Sequence, residues 1–330
     1  GKPDLLHAGD PPIGANLPGM KVEPITNEQV AALWQALGFG AAQTITVPQR
    51  GCSNACFLVN ADRVVRFQVT ELPRHKFRTE KIAYDLLRGS ELPVPEVLVL
   101  DESKTLVPCA FLITTRLPGE TVYDSWDGLD ERTREQLAFE AGRCQALLHQ
   151  HTLPAFGGLS QLADGGFPTW RAYLEDYVGR NARQARDEGL LDTTTTTRIE
   201  QLLVRFQPLM DAVTTGSLLH RDYHFENLLQ QEGKITGIID FEWAMSGDPV
   251  FDCRIDGTLA GCPGSVEPFY AGYASISPLS EHHRLKAEFY CLLLCLESIA
   301  WWGKDPEAAD WMPEEYQSLF ALLPALEQAI

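Results

Sequence analysis

The stretch His220-Arg221-Asp222-Tyr223-His224-Phe225-Glu226-Asn227 runs into a short hairpin, then Ile238-Ile239-Asp240-Phe241-Glu242 and Gly247-Asp248-Pro249-Val250-Phe251-Asp252. Asp222, Asn227 and Asp240 stand here in an order that suits metal-assisted phosphoryl transfer. That chemistry asks for one carboxylate beside the attacking hydroxyl and oxygen ligands for the magnesium that neutralises the phosphates. In the hairpin, Leu228-Leu229-Gln230-Gln231 and Ile235-Thr236-Gly237-Ile238-Ile239 flank Glu232-Gly233-Lys234. A symmetric two-residue turn at Gly233-Lys234 sets Asn227 opposite Asp240, with Cβ atoms about 5 Å apart. Two oxygen ligands, each about 2.1 Å from one magnesium, span such a gap. Asp222 precedes Asn227 within one compact loop, where it accepts the proton of a substrate hydroxyl or orients it. Each residue alone reads as a turn former. The joint pattern H-x-D-x(4)-N-x(12)-D, closing an apolar strand, is the specific signal.

The 330 residues are 45% hydrophobic and 22% charged, as in an ordinary soluble globular protein. The length fits one large or two small domains. No run of about 18 apolar residues is present, so no transmembrane helix is expected; the richest run, Phe289 to Trp302, is interrupted by Glu297. The beginning lacks a basic segment followed by an apolar one, so no signal peptide is expected. Residues 1–21 are expected to form an extended arm. Eight cysteines show no C-x-x-C spacing, which points to thiols in a reducing cytoplasm. The formal charge of −18 argues against nucleic acid and anionic membranes as partners. Nearly all the excess lies in one part: residues 1–115 hold 11 Lys+Arg and 12 Asp+Glu, residues 116–330 hold 16 and 33. Such a surface serves solubility or sets up a field that draws in a cationic small molecule. Nothing in the sequence speaks to oligomeric state.

Apolar periodicity predicts a helix from Ile25 to Gly38, with Val30, Leu33, Trp34 and Leu37 on one face. Strands are predicted over Gln43–Pro48, Ala55–Asn60, Arg63–Val69, Glu96–Leu100 and Ala110–Thr115, with a helix from Pro73 to Arg88 inserted among them. Leu117-Pro118-Gly119-Glu120 breaks the pattern. Beyond it the chain is mainly helical, over Arg132–His151, Trp170–Gly189, Thr193–Met210, Val266–Tyr273, Glu281–Trp302 and Glu314–Gln328. The threonine tract at 193–197 reads as a helix start capped by Asp192 or its first Thr.

The central stretch resembles the aminoglycoside phosphotransferases and related small-molecule kinases, which share the protein-kinase-like fold. Leu147-Leu148-His149 followed by Phe156-Gly157, and the run Gly247 to Asp252, resemble further elements of that family. The resemblance extends from about residue 22 to the C-terminal helices. It implies an α+β bilobal fold: a nucleotide-binding N-lobe over 22–116, with a small five-stranded antiparallel sheet and one helix, and a larger, mainly helical C-lobe over 117–330. The C-lobe would carry the catalytic loop, metal site and acceptor pocket. By this resemblance Asp222 is the catalytic aspartate, Asn227 and Asp240 bind Mg2+, and ATP or GTP is the donor. His220 packs under the loop, and Asp252 caps a helix or braces the loop. Arg221 replaces the glycine frequent in antibiotic kinases. Glu242 meets a second metal or makes an anchoring hydrogen bond.

The turn Gly51-Cys52-Ser53-Asn54 takes the place of a glycine-rich loop, with Gly51, Ser53 and Asn54 as phosphate-side candidates. Arg66 stands where the family often has a phosphate-binding lysine. Its expected partner is Glu80, against the alternative of an exposed Glu80 beside Lys76 or Lys81. For the acceptor, Glu226, Glu175, Asp176 and Glu297 are candidate carboxylates. Trp301, with Trp170, Tyr173, Tyr177, Tyr290 and Trp302, could supply aromatic walls, although any one aromatic at helical spacing reads first as core and any one helical Glu as solvated. The expected activity is transfer of a γ-phosphate to a hydroxyl of a small cationic molecule, an aminoglycoside-like antibiotic first. The alternatives are a kinase of a choline, thio-sugar or amino-alcohol type metabolite, and a catalytically silent nucleotide-binding module.

Overall fold

Thr26 opens the first helix, α1 (Asn27–Ala36), through a reciprocal capping box with Gln29. The computed structural model describes residues 25–48, 55–69, 76–252 and 262–329, the side chain of Glu307 excepted. The arm at 1–21 and the turn carrying Gly51, Ser53 and Asn54 lie outside the described residues. Five strands follow α1: β1 (Ile45–Thr46), β2 (Ala55–Val59), β3 (Arg63–Phe67), β4 (Val97–Asp101) and β5 (Phe111–Thr115). They form one antiparallel sheet in the order β1-β2-β3-β5-β4. Strand alternation turns Phe57, Val59, Val65, Phe67, Phe111 and Ile113 onto one face, where α1 covers them with Val30, Leu33 and Trp34. The same alternation turns Arg66 to the other face. There the inserted helix α2 (Lys76–Leu87) brings the Phe77 ring to 5.4 Å from its guanidinium.

Past Thr115 the chain joins new sheets. Glu120–Thr121 pairs with Leu228–Gln231, the first arm of the central hairpin. A four-stranded sheet sets Gly216–Leu219 between Thr152–Leu153 and Met245–Gly247, with Gly157–Gly158 outside the latter. Two short helices, Val122–Ser125 and Leu159–Leu162, have no counterpart in the periodicity, and the expected start of α2 at Pro73 lies outside the described residues. The long helices come where the periodicity places them, with one exception. The predicted helix Thr193–Met210 is two, Thr193–Arg205 and Gln207–Asp211. Pro208 has no N–H to continue the first and fits the opening turn of the second. The threonine tract is a capped start: Asp192 accepts the Thr195 N–H at 2.7 Å.

Helices Trp170–Asp187, Thr193–Arg205, His283–Trp302 and Met312–Ala329 share the largest core. Trp170, Tyr173, Tyr177 and Tyr290, candidates for an acceptor wall, belong to that core and are buried. Burying a large apolar side chain is worth about 1.5–3 kcal/mol, which decides their placement over any ligand contact. A second core runs from Tyr84 and Leu87 of α2 to Phe225 and Phe241, so the sheet region and the helical region are packed together through α2. Helix Glu131–His149 crosses helix Val266–Ala274 backbone to backbone. A Cβ added to Gly142 would stand 1.9 Å from the Phe269 carbonyl oxygen, and one added to Gly272 1.8 Å from that of Phe139. Among the described residues, no helix is long and apolar enough to cross a membrane.

The hairpin corrects the expected register. Its turn is Glu232-Gly233, both residues left-handed (φ 53° and 74°), as a two-residue hairpin turn favours. A bulge then shifts the ladder, so that Gln230 pairs with Ile235 but Leu229 with Gly237. The two displacements do not cancel. Asn227 meets Ile239, whose N–H donates to the Asn227 carbonyl at 3.0 Å, and Asp240 lies one residue beyond the ladder.

Candidate active site

Strand Gly216–Leu219 delivers His220 into the core beneath the loop 220–227. His220 Nε2 donates to the Ile239 carbonyl at 2.9 Å, and Nδ1 lies 3.3 Å from the Asp222 N–H that it accepts. Burial holds this imidazole below its ordinary pKa, in keeping with a neutral ring that donates on one side and accepts on the other. Asp252 braces the loop: it accepts the N–H of His220 at 2.8 Å and of Arg221 at 2.6 Å. His149 Nε2 stands 3.1 Å from the same carboxylate and its Nδ1 2.8 Å from the Tyr273 hydroxyl. Burial works to raise the Asp252 pKa; the His149 hydrogen bond and charge, with His220 and its N–H, outweigh it and hold the carboxyl below its usual range. Arg221 is left-handed (φ 72°), lies 4.3 Å over the Phe251 ring and donates to Glu297 Oε2 at 3.0 Å.

Asn227 ties the other end of the loop back on itself. Its Nδ2 donates to the Asp222 carbonyl at 2.9 Å and to Asp222 Oδ2 at 3.0 Å. With the amide nitrogen so committed, oxygen is the atom that Asn227 offers to a cation. His224 completes the cluster, 3.3 Å from Asp222 Oδ2 and 3.2 Å from Asn227 Nδ2, and accepts the Glu226 N–H at 3.3 Å. Burial would lower the His224 pKa, but the Asp222 charge and hydrogen bond raise it above the ordinary value. Sequence reasoning missed His224, although its place two residues after Asp222 was a usable signal.

Asp240 adopts a left-handed conformation (φ 68°). From β3, Arg66 pairs with Glu80 of α2 and reaches Asp240 Oδ1 at 3.4 Å. The Glu80 pair is therefore formed, and the alternative lysines go elsewhere: Lys81 to Asp85, and Lys76 to Glu242 at 2.5 Å. Lys76 and Glu242 are both buried, and the ammonium lies 4.7 Å from the Trp243 ring. Glu242 thus has the anchoring contact. The Tyr84 hydroxyl donates to Glu80 Oε1 at 2.6 Å and accepts the Asp240 N–H at 3.2 Å. Burial pushes the Glu80 carboxyl above its ordinary pKa despite Arg66.

Of the acceptor candidates, Glu226 lies in the loop, exposed, 3.7 Å from His224 Nδ1. Glu297 reaches the loop through Arg221. Glu175 and Asp176 lie on the exposed face of helix Trp170–Asp187, beside Arg171 at 3.9 Å and Arg180 at 2.8 Å. Trp301 donates to Asn181 of that helix at 3.1 Å.

Among the described residues no group of three or more His, Cys, Asp or Glu side chains would hold a metal by itself. The donors at the junction, an amide oxygen and a carboxylate, are hard oxygens. They fit magnesium, which usually takes one or two protein ligands and completes its shell with water and substrate phosphates.

The phosphotransferase enzyme family model matches residues 44–275. The chain is 26% identical over 178 residues to the hygromycin-B 4-O-kinase of Escherichia coli, a match covering 53% of this chain and half the length of that relative. It resembles the ADP-bound aminoglycoside phosphotransferase APH(2'')-Ib with TM-score 0.67 at 19% identity, over 91% of this chain and 99% of that one. A streptomycin–ATP complex of APH(2'')-IIa aligns with TM-score 0.69 at 18% identity, over 92% and 99%. At that identity the likeness speaks for the fold, and it is the bilobal α+β fold that the motifs imply. The family match spans the five-stranded sheet, the loop 220–227 and the hairpin alike, and the chain belongs to the phosphotransferase enzyme family.

Proposed function

We propose that this protein transfers the γ-phosphate of ATP or GTP to a hydroxyl of a small cationic molecule, with an aminoglycoside-type antibiotic as the leading acceptor class. The observation that supports the reading is that Asn227 bonds Asp222 and Arg66 reaches Asp240, while the His220 bond to the Ile239 carbonyl ties the loop to the strand that ends at Asp240. Asp222 engages the acceptor hydroxyl and takes or orients its proton. Asn227 and Asp240 would hold magnesium, which when bound neutralises charge on the phosphates. Arg66, held by Glu80, presents a permanent positive charge on the nucleotide side. Gly51, Ser53 and Asn54 belong to this reading as phosphate-side contacts.

The names of the relatives support the acceptor class: hygromycin B for one, streptomycin and gentamicin for others. The acidic balance of residues 116–330 supports a cationic acceptor. Glu226 and Glu297 are the carboxylates closest to the chemistry, and Glu175, Asp176 and Trp301 would form an outer rim. A second reading, a small metabolite of choline, thio-sugar or amino-alcohol type, draws on one observation: Glu297 is already salt-bridged to Arg221. A nucleotide-consumption screen over aminoglycosides, macrolides, peptide antibiotics and amino alcohols tests both. Turnover with an aminoglycoside is the expected result, and activity confined to neutral or anionic acceptors would refute the cationic reading.

A further inference from the structure

Tyr84 has no part in the chemistry above, yet it closes a ring of contacts around Asp240. Arg66 Nη1 lies 3.4 Å from the Asp240 carboxylate and Arg66 Nη2 pairs with Glu80. Glu80 Oε1 accepts the Tyr84 hydroxyl at 2.6 Å, and that hydroxyl oxygen accepts the backbone N–H of Asp240 at 3.2 Å. The ring leaves from the side chain of one residue and returns to its own backbone. A phenol has a single proton to donate. Glu80 takes it, so the oxygen lone pairs face the Asp240 N–H, and the direction of every bond is set.

The contact falls where the hairpin no longer supports the chain. Ile239 is the last residue to bond across to Asn227, and Asp240 follows it in a left-handed conformation. Tyr84 supplies the acceptor that a neighbouring strand would have supplied. The ring itself is 3% exposed and packs edge-on against Phe241 at 5.4 Å between centroids.

We infer that Tyr84 is a positioning residue for a divalent cation at Asp240, its hydroxyl setting the Asp240 backbone directly and the carboxylate through Glu80 and Arg66. This rests on the reading of Asp240 as a magnesium ligand. Groups that hold a metal ligand in place change metal affinity about 10–100-fold when removed.

The test is Tyr84→Phe, which deletes one oxygen and keeps the ring against Phe241. ATP binding to the full chain is measured by calorimetry in excess magnesium, in EDTA and across a magnesium titration. The variant should bind ATP in EDTA as the wild type does, which also shows that it is folded. Its apparent magnesium affinity should fall about tenfold. An unchanged magnesium affinity overturns the inference. So does an equal loss with and without magnesium, because the hydroxyl would then support the fold or the nucleotide in general. A wild type whose ATP affinity ignores magnesium overturns the metal reading of Asp240 itself, and the inference with it.

Discussion

The junction around Asp222 and Asp240 and the outer face of helix Trp170–Asp187 are both rich in charge, and they use it in opposite ways. At the junction, charged groups are buried or nearly so, and each meets partners from distant parts of the chain: Arg66 with Glu80 and Asp240, Lys76 with Glu242, Asp252 with His149. On the helix, Arg171 and Arg180 stand one turn from Glu175 and Asp176 and in solvent. Removing one member of a buried pair costs about 3–5 kcal/mol because the other is left uncompensated. An exposed pair is worth about 0–1 kcal/mol. The difference teaches that charge density does not locate a site; charge that the fold has gone to the expense of burying does.

Asp222→Ala tests the chemical end of this contrast and should have the largest effect. Turnover should fall about 10²–10⁴-fold while ATP affinity stays near that of the wild type. Unchanged turnover would remove Asp222 from the mechanism. Asp252→Ala should lower stability by about 3–5 kcal/mol, read by chemical denaturation, since two backbone N–H groups and His149 lose their acceptor. This carboxyl has a depressed pKa in the folded chain. Its contribution is therefore complete at neutral pH and fades as pH falls below the ordinary value of 3.8 toward the folded one. The stability gap between wild type and Asp252→Asn should narrow below about pH 4, where the unfolded chain begins to take up the proton. A gap independent of pH would show that the charge is not what braces the loop.

Glu297→Gln sits between the extremes, because Glu297 is partly exposed while Arg221 is nine-tenths buried. The expected loss, discounted for solvent screening, is about 1–2 kcal/mol, seen as a melting point lower by a few degrees. Asp176→Ala should change stability by less than about 0.5 kcal/mol. It should also leave the acceptor KM within about threefold, since only a rim charge is lost. A tenfold rise in KM would make the helix face part of the acceptor site and undo the contrast.

The pattern that was legible in sequence is the part that depends on local periodicity and short spacing. The five strands, α2 and the long helices follow from apolar alternation and from caps such as Thr26 and Asp192. Arg66 with Glu80 was legible through the family resemblance, which sets Arg66 in the place of a phosphate-binding lysine and Glu80 as its partner; local spacing alone left Lys76 and Lys81 as alternatives. The hairpin register was not. It depended on the turn falling at Glu232-Gly233, which moves the pairing by two, and on a bulge between Leu229 and Gln230, a defect with no residue signature of its own, which restores one of the two. Trp170 and the tyrosines take the core place that helical spacing favours for any one of them, and the packing of three further helices removes them from the acceptor-wall candidates. Lys76 with Glu242 joins residues far apart in sequence, and no periodicity relates them.

The crossing of helices Glu131–His149 and Val266–Ala274 has a consequence for how this chain tolerates change. Gly142 and Gly272 each face a backbone carbonyl of the opposite helix, so the obstacle to a side chain is main chain that no rotamer can clear. The helices they join carry Tyr273 and His149, which bond each other, and His149 meets Asp252, which holds the loop of Asp222. In a saturation scan these two positions should therefore be as intolerant as the junction itself, alanine included, although neither residue touches a reacting group.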